Sequence, residues 1–181
     1  MTVDFYRDLP THGYEVIVFR THAGGVKEVN EFGATVRTTG AALFTTEPYD
    51  RWSHPDEQRA LDLVSRGYYR DTPEDEYFAI LPKFVASSME GDFDGAAVIL
   101  MGCKVLGDTD LARAFVARGA GAVVGWDETV SASHTDAATL NMLQHFVTED
   151  LSLEAAAGAA ASEVGPDPFY GSALVSYLHD Q

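Results

Sequence analysis

One cysteine, three lysines and no long apolar run are what this chain has least of, and each shortage closes off a class of protein. With Cys103 alone, no intrachain disulfide can form and a cysteine-rich zinc centre is excluded. No apolar stretch nears the ~20 residues of a membrane helix. The first residues, Met1 to Asp8, lack the basic-then-apolar order of a signal peptide. The expectation is a cytoplasmic protein with no membrane partner. Lys27, Lys83 and Lys104 join nine arginines against 28 Asp and Glu, for a net charge of −16. Such a surface repels phosphate backbones, so no nucleic-acid partner is expected. The sequence has no H-x-x-x-H or H-E-x-x-H pair, no EF-hand loop, no P-loop and no G-x-S-x-G elbow. A catalytic metal, a phosphate cradle and a serine hydrolase therefore find no support. No cofactor is expected, with weak calcium binding by acidic loops such as Glu90-Gly91-Asp92-Phe93-Asp94 left open.

What is present reads as one folded domain. The 181 residues, 46% of them hydrophobic, are enough to bury a sizeable core. Three apolar runs are read as strands: Tyr14 to Phe19, Ala96 to Met101 and Ala122 to Trp126. The first is near-continuously apolar, which predicts a strand covered on both faces. Val26 to Thr46 is rich in β-branched residues, with turns expected at Asn30-Glu31-Phe32-Gly33 and Thr39-Gly40, and reads as a small hairpin. Helices are expected from Pro55 to about Arg66, from Thr109 to Arg118 after an Asp108 cap, from Asp136 to Val147, and from Ser152 to Glu163. In the third of these, Leu140, Leu143 and Val147 are spaced for one buried face. Tyr77 to Leu81 reads as a short strand, Pro82 to Val85 as a helical turn, and Ala173 to Leu178 as a last strand. The strand–helix–strand rhythm from Ala96 to Val147 makes the class α/β with a mostly parallel sheet.

The chemistry-bearing residues fall at strand ends, where open α/β sheets collect their ligands. Cys103 follows one apolar run, and Gly102 beside it allows close approach of another backbone. Lys104 and a following helix N-terminus would favour the thiolate. His22 follows another run and precedes Ala23-Gly24-Gly25, whose small side chains leave room for substrate. A cysteine with a histidine distant in sequence is the pattern of an intracellular thiol hydrolase. His134, in Ser133-His134-Thr135-Asp136, is the rival proton carrier. A buried, inert thiol is the plain alternative for any lone cysteine.

These residues resemble the caspase-like cysteine peptidases, closest to the CHAT-type, clostripain-like and separase-like members. The likeness is carried by the strand ending in His22-Ala23-Gly24-Gly25, by the strand ending at Cys103, and by Leu111-Ala112-Arg113-Ala114-Phe115-Val116-Ala117-Arg118-Gly119-Ala120 running into Val123-Val124-Gly125-Trp126. The family's first strand–helix unit has no counterpart before Tyr14. The resemblance thus implies a shortened single domain over 1–181, a homo-oligomer, or a partner that supplies a strand. It implies a three-layer caspase-like sandwich with helices on both faces of the sheet and a small β-hairpin insertion. It further implies a cysteine endopeptidase acting on peptides or proteins and cutting after basic residues. Cys103 would be the nucleophile and His22 the proton carrier. Backbone N–H groups around Ala23, Gly24 and Gly102 would hold the oxyanion, and Asp127, Asp136 and Trp126 would bind substrate. The alternatives are a non-catalytic binding or assembly module of the same fold and a non-peptidase thiol hydrolase such as an amidase.

Overall fold

The computed structural model describes residues 1–29, 35–60, 63–69 and 71–178. Two four-stranded sheets organise the chain. The first runs in the order β1 (Val16–Phe19), β6 (Ala97–Leu100), β7 (Ala122–Trp126), β8 (Leu174–Leu178). Its β1–β6 and β6–β7 pairings are parallel, and β8 closes the far side antiparallel to β7. The second is antiparallel throughout: β2 (Ala23–Val29), β3 (Thr35–Pro48), β5 (Glu76–Ile80), β4 (Val64–Tyr68). The chain is therefore α/β with a mixed, mostly parallel main sheet.

Alternation along the central strands sends side chains into two cores. Val98, Leu100 and Val123 join Ile17 and Phe19 in one. That core also holds residues of α1 (Val3–Asp8), α2 (Pro82–Ser88) and α3 (Asp110–Ala117). Here Tyr6 stacks on Phe19 with ring centroids 5.7 Å apart, and Phe115 packs against Phe19 at 5.8 Å. Ala97, Ile99, Ala122 and Val124 point the other way, onto α4 (Ala132–Thr148) and α5 (Leu153–Val164). The alanines at 156, 157 and 160 let α5 sit close to the sheet, because only small side chains permit such an approach at native packing density. Ser152 caps α5 by accepting a 3.2 Å bond from the Ala155 N–H. Among the described residues, no helix is long and apolar enough to cross a membrane.

Four expectations need correction. Strand β1 is buried on one face only: Val16 and Val18 remain 38% and 40% exposed, and β1 lies at the edge of its sheet. The stretch from Pro55 to Arg66 is not one helix. A short π-helical turn, Asp56–Ala60, gives way to β4, where pairing with β5 overrides local helix propensity. Gly67 makes that pairing compatible with the aromatic layer, since a Cβ there would lie 2.7 Å from the Phe44 ring. The expected hairpin is part of a larger sheet, with β4 and β5 added to it. Within it Gly40 (φ +56°) is a bulge inside β3 rather than a turn: Gly25 pairs with Ala41 and Val26 with Thr39. The expected turn at Asn30–Gly33 lies outside the described residues.

The fourth correction concerns α4. Its buried face is Thr135, Ala138, Thr139 and Met142, while Leu140 and Val147 are 70% and 72% exposed. Threonine hydroxyls break an apolar count, yet Thr135 is buried at no cost because it is satisfied twice. It accepts from the Trp126 indole N–H at 2.9 Å and donates to the Met101 carbonyl at 3.3 Å.

At the far end of α4, His145 sits between two carboxylates. Its Nδ1 is 2.9 Å from Glu149, the C-cap residue of α4, and its Nε2 is 3.2 Å from Glu163 on α5. Glu149 first, then Glu163, raise the imidazole above its ordinary value in spite of partial desolvation. A raised folded-state value means the contribution to stability is complete below the unfolded value of about 6.5 and is lost as pH rises through the folded one. Thermal melts from pH 6 to 9 are expected to show a decline in the wild type that His145→Gln lacks. Parallel profiles for the two proteins would remove this account.

Candidate active site

Two strand ends of the main sheet meet where it passes into the second sheet. At the end of β1 the chain runs through Arg20, Thr21 and His22 directly into β2. Thr21 Oγ1 donates to the Phe44 carbonyl at 2.8 Å, and the Phe44 N–H donates to the His22 carbonyl at 2.9 Å. These two bonds pin the His22 backbone to β3. The His22 side chain is exposed, and its ring meets Tyr69 edge-on, with centroids 4.7 Å apart. Tyr69 leans in turn on Phe44 and Tyr77, at 5.3 and 5.7 Å.

At the end of β6, Gly102 and Cys103 open a tight turn in which Lys104 adopts φ +57°. Non-glycine residues seldom sit in that left-handed region. Here the turn is held by bonds of 3.0 Å each from Lys104 N–H to the Glu128 carbonyl and from Leu106 N–H to the Trp126 carbonyl. The Lys104 ammonium lies 2.8 Å from Glu128, so its charge is committed there rather than to the thiol. Cys103 is half-buried. Its thiol donates to the Val130 carbonyl at 3.6 Å and packs beside Trp126, Val130 and Ala138.

Gly102 joins the two arms. A Cβ at this position would lie 2.7 Å from Ala23 Cβ, 2.9 Å from the Thr21 carbonyl oxygen and 3.1 Å from the Ala23 nitrogen. Only glycine lets the segment carrying His22 press so closely on the residue before Cys103. The result is a cleft of about 200 Å³ lined by Arg20, Thr21, His22, Met101, Gly102, Cys103, Val130, Ala132 and Thr135.

Of the other residues expected at the site, Gly102 lines the cleft, while Ala23 and Gly24 begin β2, paired with Leu43 and Ala42. His134 does not line the cleft: its ring lies against Trp126 at 5.3 Å, and its Nε2 is 3.1 Å from the Gly165 carbonyl. Trp126 is 1% exposed and supports Thr135 from behind, so it cannot touch substrate. Asp127 accepts a 2.8 Å bond from the Ala173 N–H and anchors the start of β8. Asp136 is drawn to the rim by Arg20, whose Nε and Nη2 reach its two carboxylate oxygens at 3.0 and 2.8 Å. Bonding to Arg20 holds the Asp136 carboxyl below its ordinary range.

Sequence reading missed one support of the site. Asp167, 1% exposed, accepts four hydrogen bonds: from Ser131 N–H at 2.8 Å and Ser131 Oγ at 2.5 Å, and from the N–H groups of Phe169 and Tyr170 at 2.8 and 2.9 Å. Burial works against its charge, but these four donors outweigh burial and keep the carboxyl well below the usual range. Ser131 stands at the N-cap position of α4, with its hydroxyl given to Asp167 rather than to the helix, and follows Val130, the residue whose carbonyl meets the thiol. Phe169 and Tyr170 are local partners of Asp167, but its link to the site runs through Ser131, 36 residues away, and no local pattern marks that contact. Among the described residues no group of three or more His, Cys, Asp or Glu side chains converges as a metal site.

No family model, no curated protein and no solved structure matches the chain.

Proposed function

We propose that the protein is a cysteine peptidase of caspase-like architecture, with Cys103 as nucleophile and His22 as proton carrier. The observation that carries this reading is that Cys103 and His22, about eighty positions apart in sequence, both line one open cleft. The Gly102 contact with Thr21 and Ala23 supports it further, because it spends a glycine on holding the two arms together.

In this mechanism the Cys103 sulfur leaves the Val130 carbonyl, gives its proton to His22 and attacks the scissile carbonyl carbon. The new C–S bond forms as the carbonyl π electrons move to oxygen. Collapse breaks the C–N bond, His22 returns the proton to the departing amine, and an acyl-enzyme remains. Water, deprotonated by His22, then releases the acid and restores the thiol. Backbone N–H groups of Cys103 and of Ala23 or Gly24 would hold the oxyanion, an effect of ~3 kcal/mol per donor. A preference for basic residues would rest on Asp127 or Asp136. Both are engaged within the chain, by Ala173 and Arg20 respectively.

The test is active-site titration. Iodoacetamide at neutral pH should label Cys103 stoichiometrically in the folded protein, and hydrolysis of fluorogenic peptides should fall in proportion to label. A native thiol that resists labelling would point to a binding module. Peptide cleavage that persists after complete labelling would end the thiol mechanism. Turnover of free glutamine without any peptide cleavage would point to an amidase.

A further inference from the structure

Strand β1 is an edge without a guard. Natural sheet edges are blunted by charged side chains, proline or bulges, which discourage a further strand. The second sheet follows that rule: β2 carries Lys27, Glu28 and two breaks in register, and β4 carries Arg66. At the far edge of the main sheet β8 is uncharged but packed on both faces. Its Val175 and Tyr177 lie against one core, and its Leu174 and Leu178 against the other. In β1, Val16-Ile17-Val18-Phe19, there is no charge, no proline and no break in register with β6. The Glu15 and Phe19 carbonyls accept bonds from the Ala97 and Met101 N–H groups on the β6 side. Strand alternation then turns the N–H and C=O groups of Val16 and Val18 to the open edge, where no described strand pairs with them.

The bare face continues onto α4. Val16, Val18 and Arg20 share one face of the chain by its period of two, and Arg20 is bonded to Asp136 near the start of α4. Residues 136, 140 and 147 fall on one side of that helix. The exposed Leu140 and Val147 therefore look toward the same open edge as the two valines.

We propose that a second copy of the chain docks here: β1 pairs antiparallel with its own copy across a two-fold axis, joining two four-stranded sheets into one of eight strands. Such pairing requires nothing of the thiol chemistry.

A two-fold axis demands a surface complementary to itself, and the residues around β1 meet that demand. With the axis at Ile17, each Val16 lies opposite the copy's Val18, and each Tyr14 opposite the copy's Arg20. The valine pairs are favourable cross-strand contacts. Tyr14 is 51% exposed and is propped by the His12 ring, with centroids 5.5 Å apart. It would lie on the flat face of the guanidinium, whose in-plane donors stay with Asp136. Leu140 and Val147 of both copies would close over the four valines. The net charge of −16 opposes association, but salt screens it over ~10 Å at 0.1 M. Locally it is absent: Arg20 is matched by Asp136, and Glu15 falls on the opposite face of the strand.

The experiment is sedimentation velocity on the full chain over a concentration series, with cross-linking in a Cys103→Ser background. The wild-type mass should rise from 19.6 kDa toward twice that value. The expected dissociation constant is on the order of 10 µM, as for a small interface. Val18→Lys should raise that constant by about 100-fold, because the two-fold axis introduces the charge twice. Its melting temperature should stay near wild type, since Val18 is partly exposed in the single copy. Mixing Val16→Cys chains with Val18→Cys chains should give a disulfide-linked pair that neither variant forms alone. Hydrogen-bonded antiparallel partners stand ~5.5 Å apart at Cα, within reach of a disulfide. That link decides the pairing even where Val18→Lys does not fold. A wild type that stays at 19.6 kDa throughout leaves the edge to a foreign strand and overturns the assignment. A dimer undiminished in Val18→Lys, or a mixture that gives no link, overturns it equally.

Discussion

Replacing Cys103 or His22 by alanine is expected to lower kcat/KM for any cleaved peptide by about 10³-fold or more, with little change in melting temperature. The size follows from the division of labour. In the proposed mechanism no covalent intermediate forms without the sulfur, and without the imidazole neither thiol nor leaving amine has a proton partner; positioned proton transfer alone contributes about 10²–10⁴-fold. The small structural effect follows from the surroundings. His22 is exposed and its side chain makes one aromatic contact, with Tyr69, worth ~1 kcal/mol. Its backbone bond to Phe44 survives the substitution. Cys103→Ala removes a half-buried sulfur whose bond to the Val130 carbonyl is a weak one. Kinetics on one defined peptide, with circular dichroism melts of the same samples, check both halves. A His22→Ala protein that keeps wild-type kcat would transfer the proton-carrier role elsewhere, and His134 is too far committed to Gly165 to take it without rearrangement.

Gly102→Ala should have the next largest effect although it touches no substrate. The added methyl would lie 2.7 Å from Ala23 Cβ and 2.9 Å from the Thr21 carbonyl, so the backbone on both sides of His22 has to retreat. A displacement near 1 Å of a reacting group costs about 10²-fold in rate, and overpacking of this kind costs ~1–3 kcal/mol of stability. The expected result is a kcat loss near 10²-fold, with alkylation of Cys103 changed far less than turnover. Ala23→Gly added to this variant removes the shortest clash and should restore about an order of magnitude. A Gly102→Ala protein with unaltered kcat would show that the dyad does not depend on this contact.

The two central strands were legible in the sequence for a simple reason. Ala97–Leu100 and Ala122–Trp126 are buried on both faces, so they had to be continuous apolar runs bounded by glycine. Helix α5 was legible from its Ser152 cap and alanine content, and α3 from its apolar spacing, although its N-cap position is Thr109 rather than the expected Asp108. The second sheet was only half visible. Asp56-Glu57-Gln58-Arg59-Ala60 and the residues after it have helical composition, and nothing local shows that Val64–Tyr68 will find Glu76–Ile80 as a partner. The face of α4 was misassigned because threonine does not look buried until its hydroxyl has a buried partner, and Thr135 finds two that are distant in the chain.

By itself the sequence determined the α/β class, the placement of Cys103 and His22 at strand ends, and the impossibility of an intrachain disulfide, because composition and strand pattern are properties of the chain read residue by residue. Tertiary structure alone decided that Lys104 belongs to Glu128, that Trp126 stands behind the cleft, and that Arg20 meets Asp136 across 116 positions. Each of those outcomes depends on which charge or donor comes within about 3 Å of which other. Such distances exist only once the parallel strands have brought their carboxyl ends side by side.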